Sequence, residues 1–327
     1  MAIALDQGSR LRDAMQAWET ARRCAESYGS DLLCQVIGNS AFTSARMGHM
    51  QQAVALGEQA LELALKVSDG FDQQVLEQQL SLGHHLRNVG RYDGALRYLQ
   101  AAAAGFDRGG RDLKSDVVRC LLIAAWVQLG QHQRALQLAD GDNRSSMRHM
   151  RAMRLAYRAL ALQAADRPAL EPIRESLALW SEPETLWYRT HCLIATCIVP
   201  ADEGLALALE VVDWALGRER MGLALAAQAR AARCALTLGE PERALRHLKS
   251  AEGLAQSHQP DLFYLPELWW LAAQVNRALK RRAACHLAVE QGSRWVLDVA
   301  TASVPELFRD SFLHRNRINA DLLAWAR

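Results

Sequence analysis

The sequence predicts an all-α protein in which helical hairpins stack into a solenoid, and three observations lead to this prediction. A helix-ending glycine directly before a new helix recurs at Gly48, Gly90, Gly130 and Gly239. A small residue then recurs every 34 to 42 residues, at Ala14, Ala53, Ala95, Ala135, Ala169, Ala206, Ala244 and Cys285. No Pro/Gly/Ser-rich linker divides the 327 residues, as expected if each hairpin buries its apolar face against its neighbours.

The first predicted element is an amphipathic helix over residues 9–28, with Leu11, Met15 and Trp18 on one face. Ala14 occupies the small-residue position, so this helix has the character of the second helix of a hairpin. No first helix is predicted before it, and the chain is therefore expected to begin within a repeat. An upstream domain and self-association through this N-terminal half-repeat both remain open.

Seven hairpins are predicted after this helix. In the clearest turn, Gly239 ends one helix and Pro241 begins the next, where its missing N–H costs little. Between residues 141 and 218 the turns lack the glycine, and proline-containing segments take its place. The predicted pairs are 31–47 with 50–67, 72–89 with 92–106, 113–129 with 132–140, 145–164 with 167–180, 184–198 with 201–218, 221–238 with 241–257, and 261–280 with 282–301.

The C-terminal segment has the features of a cap. Ser303 and Glu306 form a capping box, with Pro305 in the first helical turn, and a second short helix is predicted near Asn319. The apolar residues expected to cover the open face of the last repeat are Leu307, Phe308, Phe312 and Leu313. We therefore expect residues 1–303 to form the solenoid and residues 304–327 a capping segment.

With these repeats, the chain resembles the tetratricopeptide repeat family over residues 9–301. The residues that fit its last two repeats are Ala232, Gly239, Ala244, Ala251, Trp269, Ala273, Cys285 and Gly292. The repeat period exceeds the family's usual length of about 34 residues. In this respect the chain resembles the longer-helix variant of the repeat that occurs in bacterial signalling ATPases and transcriptional activators. The resemblance implies a right-handed superhelix whose concave groove is lined by first helices. Because the chain has no P-loop and no recognisable helix-turn-helix, ATPase and DNA-binding activities are not implied.

The bulk composition limits the function classes. A net charge of +2 does not favour a general polyanion binder, although 34 of the 38 basic residues are arginine. The seven cysteines form no CxxC motif, which is typical of free thiols in a reducing compartment. The N-terminus has no signal-peptide pattern, and no apolar run approaches the roughly 20 residues of a membrane span. A cytoplasmic protein is expected.

An arginine stripe is the most specific local pattern. Its members, spaced by 4, 3, 3 and 4 residues, share one face of a helix: Arg144, Arg148, Arg151, Arg154 and Arg158. The opposite face is predicted to be the core side and carries Met150, Met153, Tyr157 and Leu160. Two interpretations are open. The stripe is either a solvated basic face, as charge runs usually are, or part of the groove, because it belongs to the first helix of its hairpin.

Family resemblance extends the groove to a larger set in which arginine dominates and aromatic residues are interleaved. These residues are Phe42, Arg46, His84, Arg87, Asn88, Gln128, Arg151, Arg154, Arg158, Tyr188, His191, Arg233, Trp270, Gln274 and Arg277. Such a surface suits an acidic peptide, a C-terminal carboxylate or a phosphate, because guanidinium groups bind oxyanions bidentately. Single-stranded nucleic acid ranks lower, because the chain is near neutral and has no RNA-binding motif.

No catalytic, cofactor or metal site is predicted. His84 and His85 point about 100° apart on a helix, and Cys192 and Cys197 lie on different faces, so neither pair suits zinc. The chain contains neither a GxSxG nor an HExxH motif. The predicted function is therefore a non-catalytic, cytoplasmic, bacterial interaction or sensor module that binds an acidic peptide or partner protein. The alternatives are a receptor for a small anionic ligand or signalling peptide that changes the curvature of the solenoid, and an enzyme on a helical-repeat frame.

Overall fold

The computed structural model describes residues 1–7, 10–67, 72–141, 146–180 and 185–326. These residues contain eighteen α-helices and no β-strand. None of these helices combines the length and apolar character that a membrane span requires. In chain order they are α1 (Ala2–Gln7), α2 (Leu11–Ala25), α3 (Ser30–Arg46), α4 (Met50–Val67), α5 (Gln73–Asn88), α6 (Tyr92–Arg108), α7 (Asp112–Gln128), α8 (His132–Ala139), α9 (Arg148–Ala164), α10 (Leu170–Ala178), α11 (Leu186–Ala195), α12 (Ala201–Leu216), α13 (Met221–Thr237), α14 (Pro241–Ala255), α15 (Pro266–Ala278), α16 (Arg282–Ala302), α17 (Glu306–His314) and α18 (Arg317–Trp325).

The seven hairpins predicted from the sequence are confirmed, from α3 with α4 to α15 with α16. The small-residue contacts are confirmed at Ala53, Ala95, Ala135 and Ala244, which are fully buried. The prediction is wrong at Ala206, which is exposed. Gly204 is buried in the same helix instead, and an added Cβ there would lie 2.9 Å from the carbonyl oxygen of Thr196.

The N-terminus contains a short helix that the sequence analysis did not predict. Ala2 of α1 packs with Ala14 and Trp18 of α2, so α1 covers part of the face that was expected to be open. The buried carboxylate of Asp6 accepts a hydrogen bond from Thr43 on α3. With only six residues, α1 is too short for helical periodicity to be recognised in the sequence.

The solenoid winds round until its C-terminal half contacts its first three hairpins. The backbone N–H of Gln259 donates a 2.7 Å hydrogen bond to the carbonyl oxygen of Gly48. The turn at Gly90 packs against Trp295, and the turn at Gly130 packs against Ser311. We call this line of contacts the seam. It also explains why α15 begins at Pro266 rather than near residue 261, because residues 258–261 run along the first hairpin instead.

The helices α17 and α18 join the two sides of the seam. Phe308 packs edge-on against Trp126, with ring centroids 5.2 Å apart, and Phe312 lies 5.7 Å from Tyr92. On the other side, Leu322 is fully buried against α16. These helices therefore cover the last hairpin, as expected, and also dock on the second and third hairpins.

Candidate ligand-binding cavity

A cavity of about 510 Å³ lies inside the closed solenoid. Six first helices line it, namely α5, α7, α9, α11, α13 and α15. The turn between α17 and α18 contributes Arg315 and Asn316 to the same lining, and the start of α18 contributes Arg317 and Ile318. The volume falls within the range of roughly 300–1,000 Å³ that is typical of small-ligand sites.

The charged lining is predominantly positive. It contains five arginines, Arg87, Arg230, Arg233, Arg315 and Arg317, but only two acidic residues, Asp166 and Glu267. His132 also lines the cavity, and burial lowers its pKa, with Arg315 contributing in the same direction. A cavity with this balance favours an anionic ligand over a neutral or cationic one.

One carboxylate is shared by two guanidinium groups. Glu267 is almost fully buried and forms ion pairs with Arg230 and, at 3.0 Å, with Arg233. Arg233 also donates to the sulfur of Cys197 at 3.4 Å. The nearby Cys197 and Glu267 outweigh burial and raise the pKa of Arg233, so its guanidinium stays charged. Two positive charges facing one negative charge leave a surplus that an anionic ligand can neutralise.

Trp270 holds Arg233 in place from the side. The guanidinium of Arg233 lies 5.9 Å from the centre of the Trp270 ring, which is a cation–π distance. The indole N–H of Trp270 donates a 2.9 Å hydrogen bond to Asp321 on α18. The ring also stacks on Trp325. The position of the arginine therefore depends on α18.

Arg87 is the most deeply buried arginine of the cavity. Arg87 is only 3% exposed, and its Nη2 donates a 2.8 Å hydrogen bond to the side-chain amide oxygen of Asn88, which is neutral. Within the described part of the chain, its buried Nε has no hydrogen-bond partner and no carboxylate forms an ion pair with it. The buried carboxylate of Asp261 acts on it electrostatically but forms no direct ion pair, and a buried cation without a direct ion pair is costly. Arg87 is therefore well suited to an oxyanion bound in the cavity.

The predicted groove residues divide between the cavity and other places. Arg87, Gln128, Arg233 and Trp270 line the cavity, as expected. Three others lie outside the cavity. Arg46 pairs with Asp6 of the N-terminal helix α1. His84 and Asn88 contact Asp261 at the seam. Phe42 packs edge-on against the buried ring of His85 rather than lining the cavity.

The arginine stripe lies on a different surface. A second cavity, of about 320 Å³, is lined by Arg151, Arg154 and Arg158. Two carboxylates share this lining, namely Asp140 directly after α8 and Glu175 of α10. Tyr157 and Leu160, on the predicted core side of α9, pack with the hydrophobic core and also line the central cavity. The basic side of α9, which the groove set placed on the concave surface, instead meets carboxylates of the neighbouring second helices. Arg144 lies outside the described residues.

Each described arginine at the centre of the stripe has a carboxylate partner. Arg151 pairs with Glu175, and Arg158 pairs with Asp140 at 2.9 Å, both on an exposed surface. Arg154 pairs at 2.6 Å with Asp116, whose side chain is almost fully buried.

The remaining predicted residues do not line the central cavity. His191 is fully buried, where its Nδ1 accepts a 2.6 Å hydrogen bond from Trp180 and burial lowers its pKa to about 3. Tyr188 packs beside Arg189. Arg277 lies over Trp325 at 4.7 Å, and Gln274 is partly buried on α15.

Several cavity residues were missed by sequence reasoning. Arg230 and Glu267 lie three positions before Arg233 and Trp270 on the same helices, so helical spacing could have identified them. Arg315 lies in the α17–α18 turn and Arg317 begins α18, and no repeat pattern could position either of them. Among the described residues, no group of three or more His, Cys, Asp or Glu side chains could hold a metal ion.

The comparisons with known proteins give matches only among solved structures, since no protein-family model and no curated protein matches. A tetratricopeptide repeat protein from Parabacteroides merdae is 13% identical and covers 86% of this chain and 98% of its own, with a TM-score of 0.42. A Rap protein complexed with competence and sporulation factor is 9% identical and covers 96% and 78%, with a TM-score of 0.46. The Cut9–Hcn1 hetero-tetramer of APC/C is 12% identical and covers 99% and 82%, with a TM-score of 0.42.

The architecture follows from the arrangement of the chain's own helices. Its seven stacked hairpins, joined through small residues, confirm the helical-repeat architecture predicted from the sequence. The chain is an all-α repeat protein built from stacked helical hairpins.

Proposed function

We propose that this protein is a non-catalytic binding module that takes up an anionic ligand in its central cavity. The observation that carries the proposal is the pair formed by Arg230 and Arg233 around one shared carboxylate, Glu267. The buried guanidinium of Arg87, without a carboxylate partner among the described residues, adds to the same positive charge. A small anion, or the acidic part of a peptide, would neutralise this surplus.

The closed shape favours a receptor over a rigid scaffold with an open groove. The α17–α18 turn, Leu262 and Tyr264 line the cavity beside the first helices. A ligand bound there would contact both sides of the seam. Binding would therefore stabilise the closed form relative to any opened form, which is how a ligand shifts a conformational equilibrium.

A second candidate is the binding of an acidic peptide or partner protein on the arginine stripe. Arg151 and Arg158 are exposed and form surface ion pairs, which contribute only about 0–1 kcal/mol each. A partner carboxylate could replace Glu175 or Asp140 at little cost. Because these arginines already have counter-ions, we rank this surface second.

One experiment compares the two surfaces directly. The wild type and the variants Arg233→Glu, Arg158→Glu and Arg294→Glu are purified from a bacterial lysate and examined by native mass spectrometry for bound small molecules and peptides. Arg294 is an exposed residue of α16 that pairs only within its helix, so its variant is the control. Circular dichroism establishes that each variant is folded.

We expect a bound species that is lost only from Arg233→Glu. Loss only from Arg158→Glu would transfer the function to the stripe. If a folded Arg233→Glu variant and the wild type carry the same species, or if neither carries any species, the proposed cavity function is wrong.

A further inference from the structure

The central cavity is asymmetric in its chemistry. Its charged residues from the hairpin helices lie on α5, α13 and α15, as Arg87, Arg230, Arg233 and Glu267. These helices are neighbours across the seam, since Asn88 at the end of α5 donates a 3.0 Å hydrogen bond to Asp261, shortly before α15. The charged side of the cavity therefore lies along the closure of the solenoid.

The opposite wall is mainly apolar. It is formed by three consecutive first helices, α7, α9 and α11. Its apolar side chains are Ala124, Val127, Leu160, Leu193 and Ile194, with the buried Tyr157 beside them, and its polar side chains are Gln128, Gln163 and Thr190. An inorganic anion held by the arginines would leave this wall without a partner, whereas an apolar group packed on it would gain from leaving water.

The polar groups of the charged side are fixed before any ligand binds. Glu267 holds Arg230 and Arg233, and the Trp270 ring covers one side of Arg233. Guanidinium groups held in this way bind a carboxylate bidentately with little loss of side-chain freedom. The cavity volume of about 510 Å³ limits the occupant to a small molecule or the end of a peptide.

We propose that the ligand is an amphipathic organic carboxylate, with its carboxylate against the arginines of α13 and α5 and its apolar body against α7, α9 and α11. This inference rests on the proposed function and names the class of ligand. The same chemistry is present in a free medium-chain carboxylic acid and in the C-terminus of a short apolar peptide.

The test measures the shift in melting temperature of the wild type with matched probes. Octanoate carries both features, octan-1-ol lacks the charge, and inorganic phosphate and acetate lack the apolar body. Trileucine with a free C-terminus and its amidated form represent the peptide source. At roughly 100-fold above Kd, we expect octanoate or free trileucine to raise the melting temperature by at least about 3 °C.

Octan-1-ol, phosphate, acetate and amidated trileucine should produce no comparable shift. The shift should disappear in Arg233→Met and in Arg87→Met, and should persist in Arg294→Met on the outer surface. An equal shift with octan-1-ol would show that the charge is irrelevant, and an equal shift with phosphate or acetate would show that the apolar wall is irrelevant. Either result overturns the proposal.

The two proposals can fail separately. If no probe shifts the melting temperature of the wild type, the amphipathic carboxylate is ruled out as the ligand class. The proposed function still stands in that case if native mass spectrometry finds a species that is lost from folded Arg233→Glu. If octanoate shifts the wild type and a folded Arg233→Met variant equally, its binding lies elsewhere and the assignment to this cavity is wrong.

Discussion

The side-chain amide of Asn88 donates a 3.0 Å hydrogen bond to the carboxylate of Asp261, although the two residues are 173 positions apart in the sequence. Both residues are buried, and the Nε2 of His84 lies 3.4 Å from the same carboxylate oxygen. The hydrogen bond therefore joins α5 to the segment before α15 at the seam. Asn88, predicted from the sequence to contact a ligand, instead helps to close the solenoid that surrounds the cavity.

Replacing Asn88 by alanine should weaken this closure. The substitution removes one donor from the buried carboxylate of Asp261, and we expect the free energy of unfolding to fall by about 1–3 kcal/mol. Hydrogen exchange should also accelerate at Gln259, whose N–H donates across the seam to Gly48. The control is Asn276→Ala, because the amide of Asn276 is bonded within its own helix. Unchanged exchange at Gln259 in Asn88→Ala would contradict the role assigned to this contact.

The glycines at two hairpin turns should respond differently to alanine. Gly130 and Gly239 both have positive φ, at 69° and 77°, so alanine costs about 1–2 kcal/mol at either site. Nothing lies within 4 Å of a Cβ added at Gly239, whereas at Gly130 it would meet the backbone of Ser311. We therefore expect Gly130→Ala to lose roughly a further 1–3 kcal/mol, measured by urea unfolding. Equal losses would mean that docking of α17 contributes little.

Stability should fall between about pH 6.5 and pH 3. Burial, together with the neighbouring His84, lowers the pKa of His85 to about 3, and burial lowers that of His191 to about 3. In this range the unfolded chain binds protons that the folded chain excludes, so acidification favours unfolding. The loss is up to about 1.4 kcal/mol per pH unit for each histidine. Lowered pKa values at His132, His247 and His258 act in the same direction.

Urea unfolding at pH 7.5 and pH 5 measures this dependence. The variant His191→Gln keeps an acceptor for Trp180, and His85→Leu removes a ring whose two nitrogens have no hydrogen-bond partner among the described residues. Each substitution should reduce the difference in stability between the two pH values. A difference as large as that of the wild type in both variants would assign the effect to other groups.

Replacing the partly buried Arg154 and the buried Arg220 by methionine should have different effects on the free energy of unfolding. Arg154→Met leaves the buried Asp116 without its 2.6 Å ion pair, and we expect a loss of about 3 kcal/mol. Arg220 is 5% exposed, its Nε and Nη1 have no hydrogen-bond partner in the described structure, and burial with nearby Arg46 lowers its pKa to about 10. Arg220→Met should therefore be neutral or stabilising.

The measurement is chemical denaturation at pH 7, with Arg158→Met as the control. Arg158 forms an exposed ion pair, so its replacement should change the free energy of unfolding by less than about 1 kcal/mol. If Arg220→Met lost as much stability as Arg154→Met, the 5.5 Å cation–π contact of Arg220 with Trp214 would outweigh the cost of its burial.

Local sequence patterns were sufficient to predict the helices, but they predicted only some of the residues that line the cavity. Gly239 with Pro241 located one turn to the residue, because helix ends depend on backbone conformation near them. Arg87, Arg233 and Trp270 were expected on the concave side and do line the cavity. Arg151, Arg154 and Arg158 were included in the predicted groove set but do not line the central cavity, because an arginine stripe beside the carboxylates of Asp140 and Glu175 has the same spacing as one that faces inward.

The sequence by itself determined an all-α chain of seven hairpins, because glycine turns, small residues and helical periodicity act within one repeat or between neighbours. Only the tertiary structure decided that the solenoid closes on itself, since the angle between successive hairpins accumulates over the whole chain and no single repeat encodes it. That closure brings Asp261 to Asn88 and Ser311 to Gly130. It also places Arg315 and Arg317 at the cavity, where charges from distant parts of the chain meet.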